Sequence, residues 1–198
     1  MIDLYAWGTP NGKKIPIFLE EAGVPYTLHK VDIGKGEQHT PEYLAKNPNG
    51  KIPALVDGDV PVTVFESGAI LVYLAEKFDK FIPKDPQGRA SAMAWLMFQM
   101  SAIGPMMGQL GFFRQQKNEP AIERFHTEVK RLLGVLETQL GKHEYLAGEY
   151  SIADMATYPW VAAHGYLRLD MAPYPHVTAW LERVGARPAV KKALALWS

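Results

Sequence analysis

The sequence predicts an α/β domain followed by an all-helical one. Three observations carry that prediction. Residues 1–80 run strand, helix, strand, helix, hairpin, helix, the order of an α/β layer. Phe81-Ile82-Pro83-Lys84-Asp85-Pro86-Gln87-Gly88 then interrupts every period with prolines and a glycine, so 81–88 reads as a linker. From 89 to 198 only the helical period recurs.

Ile2–Ala6 is the first strand, followed by the loop Trp7-Gly8-Thr9-Pro10-Asn11-Gly12. Ile15, Phe18, Leu19 and Ala22 stand at i, i+3, i+4 and i+7, which predicts a helix; Gly23 suits its C-terminal cap and Pro25 prevents its continuation. Tyr26–Ile33 is the second strand, and Gly34-Lys35-Gly36 a flexible loop. Thr40-Pro41 starts a short helix that ends before Pro48. The turn Pro48-Asn49-Gly50 leads into an apolar strand at 52–56, and Asp57-Gly58-Asp59 is a hairpin signal to a strand near Val60–Phe65. Glu66 and Ser67 then open a helix with Ile70, Tyr73, Leu74 and Phe78 on one face.

In the helical half, a first helix starts near Arg89 and carries Trp95, Leu96, Met97 and Met100; Gly104-Pro105 should end or kink it. After Pro120 comes the clearest amphipathic pattern of the chain, Ile122, Phe125, Val129, Leu132, Leu133, Leu136 and Leu140. Ser151-Ile152-Ala153-Asp154 is a capping box with Asp in the Glu/Gln place, a folding signal rather than chemistry. Two further helices carry Val177, Trp180, Leu181, Val184 and then Val190, Ala193, Leu194, Trp197.

Twenty-one basic residues balance twenty-one acidic ones, which leaves no electrostatic footprint for nucleic acid or an anionic membrane. The start of the chain lacks signal-peptide features and no apolar run is long enough to span a bilayer, so a cytoplasmic protein is expected. The histidines show no metal-ligand spacing, and no metal is expected. There is no cysteine. A disulfide framework, a thiolate metal site and a cysteine nucleophile are excluded, and any thiol chemistry must use a thiol brought by the substrate.

Three places carry residues suited to more than folding. Pro53 falls within an apolar run, where proline deletes a ladder donor; an edge strand or a special turn would each account for it. Glu66-Ser67 at a helix start can cap the helix, or can face a ligand beside the free backbone N–H groups. Thr9-Pro10-Asn11-Gly12-Lys13 likewise reads either as turn and cap chemistry or as a donor site for an anion.

The order Lys51-Ile52-Pro53-Ala54-Leu55, hairpin, Glu66-Ser67-Gly68-Ala69-Ile70-Leu71 resembles the glutathione-binding half of the glutathione transferases. Together with Thr9-Pro10-Asn11-Gly12, it is most similar to the bacterial Nu class, which typically reduces disulfides with glutathione and has no catalytic cysteine. The resemblance implies a thioredoxin-like domain over 1–80 and a helical-bundle domain over 89–198. It implies that Pro53 is cis, that Ile52 offers its backbone to the cysteinyl part of glutathione, and that Glu66 and Ser67 hold the γ-glutamyl end. By the same carry-over Thr9 and Asn11 approach the sulfur, Gln38 meets the glycyl end, and Lys51 adjoins the motif. Arg131 matches a position that reaches the γ-glutamyl carboxylate of a neighbouring subunit, which would require a homodimer; a solvated helix-face charge is the other reading. Met106, Met107 and Phe112 fall where the family walls its acceptor pocket, though such a run is also ordinary core. Conjugation to electrophiles and a non-catalytic interaction module are the alternatives to disulfide reduction.

The implied chemistry is energetically reachable. A free thiol titrates near ~8.5, so only a few per cent is thiolate at neutral pH. Lowering that pKa by two units takes ~2.7 kcal/mol. One or two charge-assisted hydrogen bonds of ~1.5–3 kcal/mol each, beside a helix N-terminus, reach that amount.

Overall fold

The computed structural model describes residues 1–197, and the chain divides into two units. The first comprises Met1–Lys80 together with the segment from Arg187 onward; the second is Phe81–Ala186.

The first unit is built on a four-stranded sheet in the order β2-β1-β3-β4, with β1 Ile2–Ala6, β2 Tyr26–Lys30, β3 Ala54–Asp57 and β4 Val62–Phe65. β1 pairs parallel with β2 and antiparallel with β3, and β3 pairs antiparallel with β4. Side chains alternate across β1: Ile2, Leu4 and Ala6 are buried while Asp3 and Tyr5 are half-buried. α1 (Pro10–Ala22) and α3 (Ser67–Phe78) bring Ile15, Phe18, Leu19, Ile70, Leu71 and Leu74 into this unit's core. Tyr5 and Ile52 pack on a separate cluster of Val31, Ala54 and Tyr43, the last carried by α2 (Pro41–Leu44). Gly23 caps α1 in the left-handed conformation, φ 68°, as its position predicts.

Several boundaries differ from the sequence reading. β2 ends at Lys30, not Ile33, because its partner β1 runs out at Ala6, the residue opposite Lys30. Pro53 lies just before β3 rather than inside a strand, so no ladder donor is lost, and the Ile52–Pro53 bond is cis. β4 starts at Val62, after the turn that contains Pro61.

The second unit contains α4 (Pro86–Phe98), α5 (Gly104–Gln115), α6 (Glu119–Leu140), α7 (Ile152–Val161) and α8 (Pro175–Ala186). α4 starts inside the expected linker, because Asp85 accepts a hydrogen bond from the Gly88 amide (2.8 Å) and Pro86 suits the first helical position. Gly104-Pro105 does not end the helix. A π-helical segment, Gln99–Ile103, leads into α5, and its wider turn accommodates the proline at the start of the next segment. Ser151 and Asp154 form the expected reciprocal cap of α7. Asp154 does more than the motif requires: it also accepts from the Leu146 amide (3.1 Å) and the Trp180 indole (2.9 Å), tying α7 to α8.

The helical domain is expected over 89–198, whereas the second unit ends at Ala186. α9 (Pro188–Ala195) belongs to the first unit, where it packs on α1. Arg187 forms a two-pronged ion pair with Glu21, and Lys192 pairs with Glu20 at 2.7 Å. Trp197 packs over Gly8. Among the described residues no helix is long and apolar enough to cross a membrane, and no three metal-ligating side chains cluster.

Candidate functional site

The register of the sheet brings the singled-out loops of the first unit to one end. Tyr5 is opposite Ala54, and Ala54 is opposite Phe65. Ala6, which closes β1, is opposite Lys30, which closes β2. The loop after β1 carries Thr9 and Asn11, the chain entering β3 carries Lys51, Ile52 and Pro53, and the chain leaving β4 carries Glu66 and Ser67. All of these leave the same edge, as does the segment after β2 that leads to Gln38. Residues far apart in sequence thus share one rim because β1, β2 and β4 end there while β3, running the opposite way, begins there.

Thr9 is the N-cap of α1. Its hydroxyl oxygen accepts from the Gly12 amide at 3.3 Å, so the hydroxyl hydrogen remains a donor for a second group. Asn11 sits half-buried in the first turn and does not act as the cap. The loop allows no side chain at position 12: a Cβ there would lie 1.9 Å from the Trp7 carbonyl oxygen. Tyr5 stacks on His29, with ring centroids 4.5 Å apart.

The cis-proline turn is locked from behind. The Tyr43 hydroxyl (2.7 Å) and the Asn47 side-chain amide (2.5 Å) both donate to the Lys51 carbonyl. The amide and carbonyl of Ile52 have no backbone partner among the described residues, and the Lys51 side chain is exposed. Gln38, in a short 3₁₀ turn, holds its Oε1 buried without a hydrogen-bond partner among the described residues. An orphan acceptor of that kind suits an amide N–H from a ligand.

Glu66 heads α3 with φ 70° and ψ 117°, outside the regions that a non-glycine residue adopts freely, at a cost on the order of 1–3 kcal/mol. Its side chain does not cap the helix and is exposed. The capping alternative for Glu66 is therefore set aside. Ser67 is buried, with 3% of its surface accessible.

Lys14 escaped the sequence reading. It is wholly buried on α1, and its ammonium donates to the Ser67 hydroxyl oxygen at 3.1 Å. Burial pulls its pKa down to about 7, while the carboxylate of Glu66 acts in the opposite direction. One signal was available: Ile17 and Phe18 follow at i+3 and i+4, which puts Lys14 on the apolar side of its helix.

The remaining expected positions lie in the helical unit. Arg131 is exposed on α6 and is held by both carboxylate oxygens of Glu128, at 2.8 and 2.6 Å. Of the three acceptor-wall residues on α5, Met106 is half-buried and Phe112 is 52% exposed. Met107 is 1% exposed and belongs to the core, because helical spacing turns it inward with Ile103 and Leu110.

Residues 2–76 match the family described as Glutathione S-transferase, N-terminal domain, and residues 91–188 match Glutathione S-transferase, C-terminal domain. The Disulfide-bond oxidoreductase YfcG of Escherichia coli K12 is 49% identical, over 98% of this chain and 94% of that protein. A glutathione transferase family member from Pseudomonas fluorescens Pf-5, solved with two glutathione bound, is 44% identical with a TM-score of 0.91, covering 98% of this chain and 92% of the other. A glutathione transferase from Pseudomonas putida, solved with one glutathione disulfide bound per subunit, is 40% identical with a TM-score of 0.93, covering 100% of this chain and 92% of the other.

Proposed function

The chain belongs to the glutathione S-transferase family, and on that footing we propose that it reduces disulfides with glutathione as the electron donor. The observation that carries this reading is the shared rim on which Thr9, the Ile52–Pro53 turn and the Glu66-Ser67 helix head converge in a chain with no cysteine. Such a chain has no thiol of its own, so the exchange runs between substrate sulfurs.

Glutathione lies with its γ-glutamyl end at Glu66 and Ser67, its cysteinyl backbone against Ile52, and its glycyl end by Gln38 and Lys51. The unpartnered Ile52 backbone and the orphan Gln38 oxygen support this placement. The sulfur meets Thr9 and Asn11, where the hydroxyl hydrogen of Thr9 stabilises the thiolate. The thiolate attacks one sulfur of the acceptor disulfide. A new S–S bond forms as the acceptor bond breaks, and the leaving thiolate takes a proton from water. A second glutathione thiolate then attacks the mixed disulfide, releasing the acceptor's other thiol. Two glutathiones are oxidised by two electrons in total, and one disulfide becomes two thiols. Met106 and Phe112 suit an acceptor wall, because both keep accessible apolar surface. The protein acts as a cytoplasmic homodimer in which Arg131 of one copy reaches the γ-glutamyl carboxylate held by the other, exchanging its Glu128 pairing for that contact.

Calorimetric titration with reduced and oxidised glutathione, beside Asn11→Ala and Glu66→Ala, tests the site. Saturable binding, weakened most by Glu66→Ala, is expected. Turnover of a dithiol-forming disulfide should then exceed conjugation to an electrophilic aryl halide, and the reverse ranking would falsify the assignment of the reaction. Failure of both forms to bind at millimolar concentration would leave a non-catalytic interaction module in its place.

A further inference from the structure

Lys14 is a cation placed where nothing in the family assignment calls for one. It is wholly buried, yet its ammonium ends on the hydroxyl of Ser67, itself all but inaccessible. An ammonium carries three donors and no acceptor, so Ser67 Oγ is the acceptor in this contact. The hydroxyl hydrogen is thereby turned away from Lys14 and committed to another acceptor. A neutral amine has a lone pair and permits the opposite arrangement, with Ser67 donating to Lys14.

We propose that Lys14 is a positioning residue for the γ-glutamyl end of the tripeptide: its charge fixes Ser67 as a donor to the ligand carboxylate, so that binding is gated by the protonation of Lys14. This rests on the reading of Glu66 and Ser67 given above. The second contribution is electrostatic, since a buried positive charge behind the helix head offsets the repulsion between Glu66 and an incoming carboxylate. Glu66 is the charge that acts on Lys14. Of the ionisable groups on the other elements packed against α1, Lys77 and Tyr73 of α3 pair with Asp57, Lys192 of α9 with Glu20, and Asp3 of β1 with His29; Glu76 of α3 and Lys191 of α9 are further such groups. Burial brings the ammonium down to about 7, so that its charge changes across the neutral range. A carboxylate ligand favours the charged form, and affinity therefore falls as the pH rises through that value.

S-methylglutathione is the probe, because it has no thiol to titrate. Its dissociation constant is measured by calorimetry from about pH 6 to about pH 8 on the wild type, Lys14→Arg, Lys14→Met and Ser67→Ala. A group titrating near 7 that must be charged for binding predicts roughly tenfold weaker wild-type binding at the upper end. The arginine variant keeps its charge and should show a flat profile near the wild-type affinity at low pH. The methionine variant should be flat and weak. The alanine variant should be weak with a shallower slope, the electrostatic share of Lys14, and the double variant should lose less than the sum of the two single losses. A packing role alone would lower affinity without changing the slope. The wild-type profile needs no variant to fold. If it is flat while binding remains strong, the gating is overturned and the site stands; no binding at any pH overturns both.

Discussion

Replacing Thr9 by valine should raise the thiol pKa of bound glutathione by about one to two units. The hydroxyl has two separable jobs. Towards its own helix it accepts from the Gly12 amide at 3.3 Å, a long hydrogen bond, so losing this cap costs stability near the low end of ~0.5–2 kcal/mol. In the site proposed above it also donates to the glutathione thiolate, an interaction of ~1.5–3 kcal/mol that the valine cannot replace. Dividing by ~1.36 kcal/mol per unit gives the predicted shift. A bound thiol at ~6.5 is about three-quarters ionised at neutral pH, and at ~7.5–8.5 the thiolate fraction falls between roughly threefold and twenty-fivefold. Ultraviolet thiolate absorbance of the bound complex, followed against pH, reads the shift directly. The reductase rate at neutral pH should fall in the same proportion and recover in alkaline buffer. Thr9→Ser keeps the hydroxyl and should leave both quantities nearly unchanged. A valine variant that melts earlier yet binds a thiol of unaltered pKa would show that Thr9 is a cap and nothing more.

Gly12→Ala places a methyl group 1.9 Å from the Trp7 carbonyl oxygen, so the loop bearing Thr9 must move; glutathione affinity should drop at least tenfold and the melting temperature should fall, by calorimetry and thermal denaturation. Arg131→Ala should weaken glutathione binding without lowering the melting temperature measurably, since the exposed Glu128 pair contributes little to stability; equal affinity in wild type and variant removes Arg131 from the site. Asp57 adds a pH-dependent term to stability. Burial works to raise its pKa, but Lys77, Tyr73 and the Asp59 amide together hold it down to about 2. The folded pKa lies below the unfolded one, so this stabilisation is complete above about pH 4 and is lost as the pH falls towards 2. Lys77→Met should flatten that part of the curve of melting temperature against pH.

Helices with a strong apolar period were legible in the chain itself. Val129, Leu132, Leu133, Leu136 and Leu140 mark α6, and all five are buried. Caps made by neighbours in sequence were legible too, as Gly23 and the Ser151–Asp154 pair show. Strand ends were less so, because β2 stops where β1 offers no further partner, a limit set by another segment. The motifs Thr9–Gly12, Lys51–Leu55 and Glu66–Leu71 could be singled out for their residue types, but spacing alone left each open to a folding role, as turn and cap, edge-strand proline and helix cap respectively. Only the resemblance, and then the register of the sheet, put them on one rim.

The sequence by itself determined the two-part architecture, the absence of protein thiol chemistry and most helices, because these follow from composition and from contacts a few residues apart. The tertiary structure decided the rest. It moved α9 and Trp197 into the first unit through the Arg187–Glu21 and Lys192–Glu20 pairs. It placed Met107 in the core, and it buried Lys14 against a serine fifty-three residues away. The physical reason is common to all three. Whether a side chain is solvated or enclosed depends on which distant element covers it, and local periodicity holds no record of that partner.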